Sequence, residues 1–360
     1  MISIGRPLLG DEEKRAVMDV LDSGWLVQGP RVKAFEDAFA KYISVKHAVA
    51  ITNGTLALHS AFMALHLGPG DEVVTTPFSF VASSNAIRMC GAKPVFADIY
   101  PETYNLDPSC MEEKITDKTK AVMPVHLYGN PADMGSIMKI AKAHGIGVAE
   151  DAAQAHGAEL NGRRCGSFGN VAAFSFYPSK NMTTGEGGMV TTSDDATAAT
   201  LRLIRDHAQQ EKYKHVFLGY NYRMTEMCAA IGIEQLKKLD GFNRRRIENA
   251  RFLTEQLDGV NDLTTPQTYK GAKHVYHLYT IRVLGGKRDH VQKSLAESGV
   301  DARVFYPLPI HKQPFYEKES HGSFPEAEKA SREALSLPVH PALSQDDLET
   351  IVHAVKKAIA

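Results

Sequence analysis

One alternation fills the middle of this 360-residue chain and limits what it can fold into. Short apolar runs recur at residues 48–52, 72–75, 94–98, 121–126, 147–150, 172–176 and 188–192. Helical patterns lie between them over 55–67, 79–90 and 134–144. Runs that are apolar on both faces and separated by helices predict buried strands. The expected fold class is α/β, a large domain with a mostly parallel seven-stranded sheet. In such sheets ligands gather outside the carboxyl ends of the strands.

The rest of the chain reads differently. Residues 225–257 form a long helical stretch, with Asp240-Gly241 as the expected break. A strand is expected over 275–283, a helix over 288–298 and a second strand over 301–305. A loop rich in Pro and His follows, then a C-terminal helix over 345–359. This predicts a smaller C-terminal α+β domain, so the expected division is 1–240 (large, with the N-terminal segment) and 241–360 (small). The length suffices for two such cores.

The formal net charge of -1 offers no global field for nucleic acid or an anionic membrane. Residues 1–10 lack the apolar core of a signal peptide, and no apolar run is long enough to span a bilayer. Cys90, Cys110, Cys165 and Cys228 are scattered with no Cys-x-x-Cys pair. That argues against a zinc module or a disulfide framework and fits a reducing cytoplasm.

Chemistry enters at Lys180. It lies in Phe174-Ser175-Phe176-Tyr177-Pro178-Ser179-Lys180-Asn181, ahead of Gly185-Glu186-Gly187-Gly188 and the apolar Met189-Val190. Asp151 ends an earlier apolar run. A lysine where a strand yields to a loop, with a carboxylate at a neighbouring strand end, suits pyridoxal phosphate. The amine forms a Schiff base with the aldehyde, and the carboxylate pairs with the protonated ring nitrogen. Opposite charges ~4 Å apart at an effective dielectric of ~20 interact by roughly 4 kcal/mol, about three pK units. That holds a pyridine nitrogen protonated at neutral pH, which makes the ring an electron sink.

Other residues extend the set. Gln154, three positions beyond Asp151, could reach the ring hydroxyl, while His156 reads equally as structural or substrate-side. Asn53-Gly54-Thr55 closes the first strand and opens a helix, where free N–H groups bind phosphate. Gly54 allows close approach and Thr55 offers a hydroxyl; taken alone, the tripeptide is a plain N-cap turn. Phe80 could stack on a flat ring, and alone it reads as a core aromatic. Ser175, five residues before Lys180, could donate to phosphate.

Competing motifs fail. Gly185-x-Gly187 has Val190 where a dinucleotide fingerprint wants glycine, and it precedes a strand. Gly286-Lys287 lacks the earlier P-loop glycine. There is no His-Glu-x-x-His for a metal, and Ser167 lacks the flanking glycines of a hydrolase elbow.

Assembled, these residues resemble the DegT/DnrJ/EryC1/StrS family of pyridoxal-phosphate-dependent nucleotide-sugar aminotransferases. The resemblance runs nearly end to end, from Gly24-Trp25-Leu26-Val27-Gln28-Gly29-Pro30 through Asn53-Gly54-Thr55 and Gly68-Pro69-Gly70-Asp71-Glu72-Val73. It continues through Gly91-Ala92-Lys93-Pro94-Val95-Phe96, Val125-His126-Leu127-Tyr128-Gly129 and Glu150-Asp151-Ala152-Ala153-Gln154. The Lys180 segment, Gly219-Tyr220-Asn221-Tyr222-Arg223-Met224 and Tyr306-Pro307-Leu308-Pro309-Ile310-His311 complete it.

The resemblance implies a fold-type I transferase, a cytoplasmic homodimer with active sites shared between subunits. It implies that Lys180 carries the Schiff base, Asp151 meets the ring nitrogen, Gln154 contacts the ring hydroxyl and Phe80 stacks on the ring. Gly54, Thr55 and Ser175 would hold the phosphate, and Asn221 would reach the phosphate of the neighbouring subunit. From the residues alone, Asn221 reads as a polar loop residue capping the next helix. Tyr306 and His311 fall in a segment near the nucleotide-sugar site of relatives. Arg223 and Arg303 are candidates for the donor carboxylate. The implied reaction moves an amino group from an amino acid, glutamate by family habit, to a nucleotide-linked keto-sugar in ping-pong fashion. Two alternatives share the scaffold: a sugar dehydratase, whose relatives replace the lysine with histidine, and a non-catalytic regulatory protein.

Overall fold

The structure is a computed structural model and describes residues 1–319 and 322–360. Seven strands build the main sheet: β1 (His47–Ile51), β2 (Glu72–Thr75), β3 (Lys93–Phe96), β4 (Thr119–Met123), β5 (Gly147–Asp151), β6 (Val171–Ser175) and β7 (Gly188–Thr192). Their order is β1-β7-β6-β5-β4-β2-β3. β7 runs antiparallel to both its neighbours, and the remaining neighbours pair in parallel.

Helices cover both faces. In chain order they begin α1 (Asp11–Ser23), α2 (Pro30–Ile43), α3 (Gly54–Ala64), α4 (Ala82–Met89) and α5 (Met134–His144), followed by α6 (Asp195–Arg205) and α7 (Glu226–Leu257). Alternation along β1 explains the two layers. Val49 and Ile51 pack with Phe62 of α3, Ile87 of α4 and Leu201 of α6. Ala48 and Ala50 turn to Phe35 and Phe39 of α2 and Leu239 of α7. α5 covers Val74, Val122 and Val148 farther along the second face. Strands buried on both sides read as continuous apolar runs, which is why the sequence located them.

A second cluster forms beyond α7. Strands β8 (Leu263–Thr264), β9 (Tyr279–Val283) and β10 (Ala334–Leu337) make an antiparallel sheet in the order β8-β9-β10. Helices α8 (Arg288–Glu297) and α10 (Gln345–Ile359) pack on it, with α9 (Pro325–Glu333) preceding β10. Ile2 joins this cluster, hydrogen-bonded to Gly299 and Asp301. A third cluster bridges the two halves: Phe78, Phe96 and Leu127 pack against Ile310, Tyr316 and Phe324.

Three sequence expectations need correction. The break at Asp240-Gly241 does not occur, because α7 runs unbroken from Glu226 to Leu257. Buried Leu239, Asn243 and Arg246 flank the glycine and anchor the helix, which outweighs about 1 kcal/mol of glycine propensity. The strand expected over 275–283 is laddered only at Tyr279–Val283. Val275 N–H instead donates to Gly129 O at 3.0 Å, tying this stretch to the loop beyond β4. Residues 301–305 form one bridge, Arg303 with Ser336, rather than a strand.

Candidate active site

β5 delivers Asp151 and Glu150 to opposite faces. Asp151 is buried at its carboxyl end, where Ser83 Oγ donates to Oδ2 at 2.7 Å and Ala153 N–H donates to Oδ1 at 3.1 Å. Burial raises its pKa, while Ser83, Ala153 and the nearby Lys180 pull it down. Glu150 holds loops instead. It accepts N–H groups from Gly166, Phe168 and Gly169 at 2.7, 2.7 and 2.8 Å, and faces His126 Nε2 at 2.9 Å. Ala132 N–H donates to His126 Nδ1 at 3.0 Å, so the proton sits on Nε2 and points at Glu150.

Lys180 stands in the loop after β6, half-buried. Burial lowers its pKa to about 8, and the Asp151 charge works against that shift. An amine tuned this way exchanges protons near neutrality.

Gln154 is fixed on both sides. Tyr128 N–H donates to its Oε1 at 2.7 Å, which aims Nε2 at the Tyr306 hydroxyl, 3.2 Å away. One of its two Nε2 hydrogens is left for another acceptor.

The start of α3 makes an anion cradle. Asn53 is its N-cap, and Leu56 N–H donates to Asn53 Oδ1 at 3.0 Å. The N–H groups of Gly54 and Thr55 belong to the first turn, where no helical acceptor exists. A Cβ on Gly54 would sit 2.6 Å from Ser175 Cβ, so glycine alone lets the helix start approach Ser175. Gly188 is needed for the same reason, since a Cβ there would collide with the Asn53 carbonyl.

The two phenylalanines after β2 divide roles. Phe78 is fully buried and supplies the core aromatic, whereas Phe80 is 56 % exposed. Phe80 faces Tyr306 with ring centroids 6.1 Å apart, and both line a cavity of about 810 Å³ that also takes in Thr55.

Other sequence candidates fall elsewhere. His156 is fully buried between Phe174 and Phe176 at 5.4 and 5.5 Å. Burial pushes its pKa down to about 3, so it is a neutral core residue. His311 is buried, bonded to Glu328 at 3.2 Å and packed on Phe324 at 4.8 Å. Asn221 is exposed, and it does not cap α7: the Thr225 side chain accepts Cys228 N–H at 3.2 Å and does so instead. Arg223 pairs with Asp206, and Arg303 with Asp301 at 3.0 and 3.1 Å. Sequence reasoning missed Ser83, whose only signal is its place one turn beyond Phe80.

The site is that of a pyridoxal-phosphate enzyme: a lysine of depressed pKa, a buried strand-end carboxylate and a glycine-cleared helix start. The chain belongs to the DegT/DnrJ/EryC1/StrS aminotransferase family, whose model matches residues 7–356. It is 45 % identical over 352 residues to a pleiotropic regulatory protein of Geobacillus stearothermophilus, covering 96 % of this chain and 94 % of that one. It is 40 % identical to a GDP-perosamine synthase of Caulobacter vibrioides, covering 99 % and 98 %. Its fold matches the crystal structure of S. venezuelae DesV in complex with a ketimine intermediate, with a TM-score of 0.94, 40 % identity and coverage of 96 % and 94 %. The architecture is that of the pyridoxal-phosphate-dependent aminotransferases.

Proposed function

We propose that the protein transfers an amino group from an amino acid, glutamate the expected donor, to a nucleotide-linked keto-sugar. The observation that carries this reading is that Asp151 ends one strand and Lys180 follows its neighbour, near enough for the carboxylate's charge to act on the amine, with the Gly54 helix start against Ser175. Relatives named as sugar-nucleotide aminating enzymes support the acceptor class.

The residues fit pyridoxal phosphate. Gly54, Thr55 and Ser175 would hold its phosphate, Asp151 would face its ring nitrogen, Gln154 its hydroxyl and Phe80 its ring face. When bound, the cofactor supplies an aldehyde to be joined to an amine and a cationic ring that takes up electron density. The protein does the rest. Lys180 would hold the group through Nζ until the donor's amino group takes that place, which leaves Nζ a free amine. That free amine would serve as base and then acid, holding the proton taken from the donor Cα until it is returned. Asp151, whose anionic form Ser83 and Ala153 favour, would hold the ring nitrogen's proton. Gln154 orients the ring through its bond to Tyr306. Tyr306 borders the acceptor's cavity, and His311 supports that segment from the core side through Glu328.

A homodimer with shared sites is part of this proposal. The hairpin formed by Gln209–Glu211 and Lys214–His215 leads into exposed Val216, Phe217 and Leu218 and then exposed Asn221. Such an apolar arm fits against a second copy, bringing Asn221 to the partner's phosphate. We also propose two domains, 1–240 and 241–360, joined through the continuous helix α7, and a cytoplasmic location, which suits four free cysteines.

The alternatives are weaker. A dehydratase of this scaffold carries histidine where this chain has Lys180. The regulatory reading has the name of one relative in its favour, but a binding module needs neither Lys180 nor Asp151. Adding glutamate to the loaded protein tests the reading. A spectral change reversed by a nucleotide-linked keto-sugar supports it, and silence toward every amino donor refutes it.

A further inference from the structure

The wall of the 810 Å³ cavity is a stripe of α4 and the residue before it. Val81, Asn85, Arg88 and Met89 line it, at the spacing of one helix face. The opposite side of α4 is committed to the core through Ala86 and Ile87, and Ser83 holds Asp151. One short helix therefore serves both the ring-nitrogen carboxylate and the cavity. Arg88 follows Ser83 by five residues, about 7.5 Å along the axis.

Arg88 is the cation of this wall. One terminal nitrogen pairs with Glu319, while its Nε is buried with no hydrogen-bond partner. A buried donor is costly to leave without a partner, so the present arrangement leaves part of the guanidinium's bonding capacity unused. Its fork of donors matches phosphate oxygens two at a time. The Glu319 side chain is 42 % exposed, so the pair can exchange with an incoming anion. Beyond Arg88 the cavity offers exposed Phe315 as a flat apolar surface and the amides of Asn85 and Gln313. A cation next to an aromatic face and two amides fits a nucleoside diphosphate.

We propose that Arg88 is a specificity-determining residue that binds the phosphate oxygens of the acceptor's nucleoside diphosphate, exchanging from Glu319 as the acceptor enters. This rests on the nucleotide-sugar reading of the site and names the residue that recognises the acceptor's charge.

Calorimetric titration of the cofactor-loaded enzyme with UDP, GDP and dTDP, and with the matching nucleosides, tests it. At least one diphosphate should bind more tightly than its nucleoside. Arg88→Gln should weaken that binding by about tenfold to a hundredfold, the loss of charge-assisted hydrogen bonds. Arg88→Lys should recover part of it. Glu319→Gln frees the guanidinium and should bind the diphosphate at least as tightly as the wild type. Unchanged binding by Arg88→Gln overturns the proposal, as does a wild type with no preference over nucleosides. Equal losses in Arg88→Gln and Glu319→Gln would make the ion pair a structural clip and also overturn it. The wild type's response to glutamate is read separately, so failure of the aminotransferase reading is distinguishable.

Discussion

Ser83 Oγ lies 2.7 Å from Asp151 Oδ2, joining α4 to the carboxyl end of β5. The bond stabilises the anionic form of a carboxylate that burial pushes toward protonation. Asp151→Asn should therefore cut the rate of the amino-donor half-reaction by about a thousandfold, the equivalent of roughly 4 kcal/mol of lost charge interaction. Ser83→Ala should cost far less, about tenfold, since Ala153 N–H remains. Stopped-flow measurement of donor conversion checks both.

The Gly54 cradle gives a sharper steric prediction. Gly54→Ala places a methyl group 2.6 Å from Ser175 Cβ, so the helix start must retreat. Pyridoxal phosphate should bind roughly tenfold or more weakly, as expected when a hydrogen bond to a charged group is lost. Fluorescence titration of the cofactor into apoprotein measures this.

Lys180 sets a pH dependence. Its folded pKa, about 8, lies below the ordinary lysine value because burial disfavours the cation. A depressed lysine is protonated below about pH 8 and becomes a free amine above it. Imine formation between apoprotein and pyridoxal phosphate should accelerate as pH rises through about 8 and then level off, well before an exposed lysine would titrate. Rates measured by absorbance across this range check the sign and the midpoint.

The proposed sharing of the site between two copies can be tested by mixing. Lys180→Ala and Asn221→Ala dimers should each be impaired. After subunits exchange, a mixture should regain activity, because some hybrid sites carry neither substitution. Two variants that stay inactive when mixed, with exchange verified by mass, would place Asn221 outside the partner's site.

Much of this was legible in the sequence. All seven main strands were located, because a strand covered on both faces carries consecutive apolar residues, such as Val73-Val74 and Ala121-Val122-Met123. The limits erred where a local residue decides the ladder. β4 stops at Met123 because Pro124 has no N–H to donate, and Val125 then makes a single bridge to Asp151. Lys180, Asp151 and Gly54 were singled out because they stand at or just beyond a strand end or at a helix start. Phe80 read by itself as a core aromatic, and only the resemblance assigned it to the ring, since what packs around an aromatic is not written in its own segment. Ser83 and Arg88 were invisible because a helix face acquires meaning only when its neighbours are placed. β10 was missed because residues 334–337 pair with a strand more than fifty residues away in sequence.

The proposed chemistry requires a covalent link between Lys180 and pyridoxal phosphate. Borohydride reduction of the loaded protein, followed by peptide mapping, tests it most directly. The label should fall on Lys180 alone and be absent from Lys180→Ala. A label on another lysine, or none at all in cofactor-loaded protein, would contradict the account.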